Sequence, residues 1–235
     1  MEKKEFPKKS FGPKIKPGLI SEPAGAARPK LSGIYDKALD IVKLILGLCL
    51  LPFVYSVTVS FLRQISYIDI ALQNYFWAGV ITLVLIYLFV WEPQAVYEKG
   101  HKLLEIFFSF FQPLVKVAPY LLPIYAIILF VLYLILSLFI REKWLLNYAM
   151  FFFGWSISLH LVFAARSIRS KKGDLLKSNY IFGFSFMYII SLGLMALFLN
   201  FLFKEFSVVS FSNEAYSAAG AIFKAVFSQL FMCKI

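Results

Sequence analysis

Five long apolar runs constrain the fold of this chain more than any other feature. They cover approximately residues 44–62, 75–91, 119–140, 144–166 and 180–203, and their interiors contain neither aspartate nor glutamate. A helix needs roughly 17–25 apolar residues to cross a hydrocarbon core of about 30 Å, and lipid demands that backbone polar groups be satisfied within the helix. The sequence therefore predicts an all-α integral membrane protein with about five transmembrane helices.

Composition agrees with that class. Hydrophobic residues make up 60% of the chain and aromatic residues 19%, whereas soluble domains are roughly 45–50% apolar. The two cysteines, Cys49 and Cys233, form no CxxC pair and no Cys/His cluster, so we expect neither a disulfide framework nor a metal site.

Residues 1–31 differ in character from the rest of the chain. They carry eight Lys and Arg and contain prolines at positions 7, 13, 17, 23 and 29, a pattern that opposes helix formation and is typical of disorder. We predict a disordered basic cytoplasmic tail. It has no RNA-binding motif, so we predict no specific nucleic-acid partner.

The distribution of positive charge predicts the orientation. With the N-terminus in the cytoplasm, about 18 of the 24 Lys and Arg fall on the cytoplasmic side, as the positive-inside rule requires. This orientation fits a plasma or inner membrane. The loop after the fourth run is predicted to contact anionic lipid headgroups or a protein partner through Arg166, Arg169, Lys171, Lys172 and Lys177.

The segment 99–116 carries polar residues at helical spacing. Lys102, Glu105, Ser109, Gln112 and Lys116 follow one another at intervals of three or four, and the remaining surface is rich in phenylalanine and leucine. This pattern predicts an amphipathic helix lying in the membrane plane. The alternative is that its apolar face packs on the protein's own helices.

Residues 213–233 repeat the pattern, with a stripe formed by Glu214, Ser217, Ala221, Lys224 and Ser228. We predict a second interfacial helix here; the alternative is a sixth span containing Lys224. The predicted organisation is thus a tail (1–31), a five-helix membrane domain (32–203) that includes the in-plane helix, and a C-terminal amphipathic segment (204–235).

Few polar side chains fall within the predicted spans. His160, Asn147 and Asn200 are candidates for an intramembrane polar site, since polar residues in spans often mark solute pathways. The competing interpretation of His160 is a neutral imidazole that is hydrogen-bonded to a neighbouring helix. On the same run, Gly154 and Ser158 form a small-xxx-small pair, which is typical of close helix packing.

Catalytic signatures are absent from the sequence. His101 and Glu105 are one helical turn apart, but an ion pair explains them better than a metal site. The sequence contains no HExxH, GxSxG or P-loop motif and no pair of intramembrane aspartates, so we assign no catalytic, cofactor-binding or metal-binding residue. The sequence favours a non-catalytic scaffold or assembly component; the alternative is a small-solute or ion transporter or channel lined by the three polar residues.

Overall fold

A computed structural model describes residues 31–90, 93–109, 118, 120–140, 142–170 and 180–231 of the chain. The chain divides into two compact units, which are residues 1–38 and residues 39–235. The described part of the first unit is residues 31–38, where the first helix begins.

Helices account for nearly all of these ranges, which contain no strand. In chain order they are α1 (Leu31–Ile65), α2 (Ile70–Leu85), a π-helical segment (Ile86–Val90), α3 (Gln94–Phe107), α4 (Ile124–Phe139), α5 (Lys143–Ser170), α6 (Tyr180–Leu202) and α7 (Val208–Phe231).

Four helical stretches are long and apolar enough to cross a membrane: Ala38–Ile65, Ile70–Val90, Lys143–Ile168 and Tyr180–Leu202. The all-helical fold is thus confirmed in the described ranges, and these stretches match four of the five predicted spans. The remaining predicted run, residues 119–140, contains α4, which is 16 residues long and covers only about 24 Å at 1.5 Å per residue. The total number of spans stays a prediction.

The closest helix contact joins α2 and α5. A Cβ atom placed at Gly79 would overlap the backbone carbonyl of Phe151, and one placed at Gly154 would overlap that of Phe76. Only glycine permits the two backbones to approach so closely. Further along both helices Leu83 packs with Leu159 and Phe163, so α2 and α5 run parallel.

The contacts between α4 and α6 define the two ends of the helix bundle. Phe130 of α4 stacks on Phe198 of α6 at 4.6 Å between ring centroids, while Tyr120, before α4, clusters with Met187 near the start of α6. Hence α4 and α6 also run parallel. We call the end that contains α3 and the first turn of α4 the α3 end; Phe61 and Phe206 meet at the opposite end.

Helix α7 contacts α1 at two positions along its length, and these contacts give the direction of α7. At the opposite end of the bundle, Gln64 of α1 donates through Nε2 to Glu214 Oε1 at 3.1 Å, and Arg63 Nη1 lies 3.9 Å from Glu214 Oε2. Closer to the α3 end, the rings of Phe53 and Phe223 are 5.7 Å apart. Because the residue number falls along α1 as it rises along α7, the two helices run antiparallel.

Candidate functional site

A polar cavity of about 500 Å³ lies at the α3 end, between α3 and the C-terminal half of α5. Its lining combines acidic, basic, imidazole and phenol groups, contributed by α3, by α5 and by the segment before α4. The residues are Gln94, Tyr97, Glu98, His101, Lys102, Glu105, Tyr120, Phe163, Arg166 and Ser167.

Helix α3 is held over this region by its contacts with α4. Gly100 is buried against Ile124 and Tyr125, and a Cβ atom there would lie 2.8 Å from the Tyr125 ring. The Tyr125 hydroxyl donates to the carbonyl of Val96. These contacts fix the turn of α3 that carries Tyr97 and His101 into the cavity wall.

The cavity is lined by the rings of Tyr97, His101, Tyr120 and Phe163, and the ring of His160 lies behind them. Tyr97 stacks on Phe163 of α5 at 5.6 Å between centroids, and it lies 5.9 Å from His101 and 6.5 Å from His160. His101 meets Tyr120 edge to face at 5.0 Å. The two histidines of the chain, separated in sequence by α4, therefore both lie within 6.5 Å of one tyrosine ring.

Burial governs the chemistry of Tyr97. Its hydroxyl is shielded from solvent and has no hydrogen-bond partner among the described residues. Burial raises the pKa of this hydroxyl far above its ordinary value, and the neighbouring Tyr120 raises it further. Tyr97 therefore stays protonated at physiological pH and can donate a hydrogen bond to an acceptor.

Both carboxylates of the cavity have partners on α3. His101 Nε2 lies 3.4 Å from Glu105 Oε1, and Gln94 Nε2 donates to Glu98 Oε1 at 2.7 Å. Lys102 and Arg166 contribute two positive charges to the same lining. The cavity thus offers both signs of charge, which suits a ligand that carries both. Among the described residues, no group of three or more His, Cys, Asp or Glu is placed to hold a metal ion.

Of the basic residues predicted to contact lipid, Arg166 is the one that lines the cavity. The side chain of Arg169 and residues Lys171, Lys172 and Lys177 lie outside the described residues. At Arg166, the predicted cationic surface therefore borders the cavity.

The three predicted intramembrane polar residues lie apart. His160 is buried just inside the cavity wall, where it makes a hydrogen bond with the backbone of Tyr120. Asn147 lies on the same helix about 20 Å away, at 1.5 Å per residue. Asn200 accepts from the backbone N–H of Val208 at 3.0 Å, which satisfies a donor in the first turn of α7. Neither asparagine lines the cavity.

Apart from Arg166, the sequence predicted none of the cavity-lining residues as a site residue. One signal was available: Gln94, Glu98, His101 and Glu105 are spaced four, three and four, so the polar stripe extends upstream of residue 99. No comparable signal marks Tyr120, which reaches the site only through the packing of α4 against α5.

The fold and the cavity define a class, an all-helical protein with apolar helices of membrane-spanning length and a polar cavity at one end. Comparison with protein-family models, with curated proteins and with solved structures gives no match at the level of family, sequence or fold.

Proposed function

We propose that the protein is a non-catalytic membrane component, a scaffold or assembly subunit, that binds phospholipid headgroups at its cytoplasmic face. In this proposal α1, α2, α4, α5 and α6 cross the bilayer, and the α3 end faces the cytoplasm. The observation that carries it is the charged cavity at the α3 end.

The position of the cavity supports a headgroup as its occupant. Arg166 follows the apolar part of α5, at the level where phosphate groups lie in a bilayer. Beside it, α3 exposes apolar Ile106 and Phe107 next to polar Lys102 and Glu105, as expected for a helix that lies in the interface.

The charges in the lining fit the two ends of a zwitterionic headgroup. Arg166 and Lys102 provide charge-assisted donors for a phosphate, and the Tyr97 hydroxyl is a neutral donor beside them. Glu98 and Glu105 provide acceptors for an ammonium group. A volume of about 500 Å³ lies within the roughly 300–1,000 Å³ typical of small-molecule sites. The loop cations from Arg169 to Lys177 would add attraction to the phosphate of either kind of lipid.

Thermal unfolding of the purified full chain in detergent tests this function. Dihexanoyl phosphatidylethanolamine should raise the unfolding temperature more than dihexanoyl phosphatidylglycerol does, because only the first carries an ammonium group. Arg166→Gln should weaken the apparent affinity about tenfold through loss of a charge-assisted hydrogen bond.

Lys143→Gln is the matched control, since Lys143 is an exposed cation at the other end of the same helix. Its lipid response should equal that of the unaltered chain. If both lipids act equally on the unaltered chain and on Arg166→Gln, headgroup binding in the cavity is refuted.

Transport has less support. A solute pathway through His160, Asn147 and Asn200 requires them to line one space, whereas the asparagines lie outside the cavity and Asn200 caps α7. Solute or ion flux into vesicles that contain the purified protein would restore this alternative.

A further inference from the structure

The depth of α7 follows from its contacts with α1. Phe223 meets Phe53, which lies about 15 Å along α1 from Arg63 at 1.5 Å per residue. On α7 the same rise separates Glu214 from Lys224. Half of a hydrocarbon core is also about 15 Å. If α1 spans the bilayer, Lys224 therefore lies near the bilayer midplane.

The sequence of α7 agrees with this placement. Residues 215–233, between the charged residues Glu214 and Lys234, contain Lys224 as their one charged residue. Their length matches the roughly 20 residues that a spanning helix needs, but α7 is less apolar than the four stretches described above, so the depth given by its contacts with α1 carries the inference. Lys224 stands at the middle of this stretch.

In the first half of α7, two opposite faces have different surroundings, whereas residues 223–231 are exposed on all sides. Phe211, Ala215 and Ala219 are buried against the bundle. The opposite face, at about 100° per residue, exposes a stripe of small and polar residues, which we call the α7 stripe. Its members are Ser217, Ala221, Lys224 and Ser228.

An ammonium group on that face is costly in lipid. A lysine at the centre of a spanning helix costs about 2.5–3.5 kcal/mol on insertion scales. The half-thickness of about 15 Å limits how far its four-carbon stem can bring the charge towards water. The cost falls if a carboxylate lies opposite.

The predicted spans of the chain provide no such carboxylate. None of them contains an interior Asp or Glu. A two-fold dimer of parallel protomers through this face would place two lysines at the same depth, because such an interface pairs like with like. Charge complementarity therefore points to a different protein.

We infer that α7 is a sixth membrane-spanning helix, and that the α7 stripe binds a transmembrane helix of another protein that carries Asp or Glu opposite Lys224. Ser217 and Ala221 form a small-xxx-small pair on this face and allow close approach. The inference rests on the assembly part of the proposed function and names the chemistry of the partner.

Topology is the first test. With Cys49→Ser, Cys233 becomes the sole cysteine of the full chain. A membrane-impermeant maleimide should label Cys233 from the same side as a cysteine placed at Ser10 in a cysteine-free background. Labelling of the two from opposite sides would show that α7 does not cross, and would overturn the inference.

A synthetic partner tests the surface. The full chain, with a fluorescent donor on Cys233, is reconstituted in vesicles with an acceptor-labelled polyleucine transmembrane peptide that contains one central Glu. Energy transfer should report association that is about three- to tenfold tighter than with the Gln peptide, from the strength of interhelical polar contacts.

Two pairs of variants test whether the peptide binds to the α7 stripe. Lys224→Gln should abolish the preference for the Glu peptide, while Lys204→Gln, in the exposed turn before α7, should keep it. Ala221→Leu, on the stripe, should weaken binding, and Tyr216→Leu, exposed beside it, should not. Equal binding of the Glu and Gln peptides to the unaltered chain would overturn the inference. Neither result depends on lipid binding at Arg166, so failure of one proposal is distinguishable from failure of the other.

Discussion

At the scale of single residues, burial decides which polar groups matter. Tyr97 is unremarkable in the sequence, yet its hydroxyl lies buried without a partner among the described residues, and its ring lies close to both histidines. Arg166 could be predicted because charge beside an apolar run is visible in the sequence. Tyr97 could not, because its role depends on Phe163 and Tyr120, which belong to other parts of the chain.

Replacement of Tyr97 by Phe should separate ligand binding from stability. An unpaired buried hydroxyl costs about 1–3 kcal/mol, so Tyr97→Phe should leave the unfolding temperature in detergent unchanged or raise it. The stabilisation by phosphatidylethanolamine should fall, since a donor to the phosphate is lost. Tyr148→Phe, at an exposed position, is the control. A large loss of stability without lipid would show that the hydroxyl has a structural partner.

At the scale of elements, helix contacts depend on particular small residues. The α2–α5 contact requires glycine at Gly79 and Gly154, because the backbone of the facing helix occupies the space of a side chain. The sequence indicated close packing at Gly154 and Ser158. It did not indicate the partner helix, since several predicted spans contain small residues.

Gly154→Ala should lower the free energy of unfolding by about 1–3 kcal/mol, the usual cost of overpacking. Gly193→Ala is the matched control, because a Cβ atom at Gly193 would meet nothing within 4 Å. The control should be neutral or stabilising, since glycine in a helix costs roughly 0.5–1 kcal/mol relative to alanine. Thermal unfolding in detergent measures both. Equal effects of the two variants would contradict the close contact.

At the scale of the whole molecule, the helix directions are mutually consistent. The parallel pairs α2–α5 and α4–α6, with α7 antiparallel to α1, are the directions expected if each helix crosses the bilayer once in chain order. They bring α3, the polar cavity and Arg166 to one end, which the positive-inside rule predicts to be the cytoplasmic end.

Cysteine accessibility tests this orientation. In a cysteine-free background, cysteines at Lys99 on α3 and at Glu142 before α5, both exposed positions, should label with an impermeant maleimide from opposite sides of the membrane. The Lys99 position should react from the cytoplasmic side. Labelling of both from one side would mean that α4 does not cross.

The sequence by itself determined the class of the protein and the segments that become helices. Long apolar runs without acidic residues have one stable form in lipid, since helices satisfy their own backbone groups. Tertiary structure alone decided which polar residues converge and how α7 runs. A polar stripe at helical spacing is the same whether water, lipid headgroups or another helix covers it. The alignment of α7 with α1 follows from tertiary contacts, such as those of Glu214 with Gln64 and of Phe223 with Phe53.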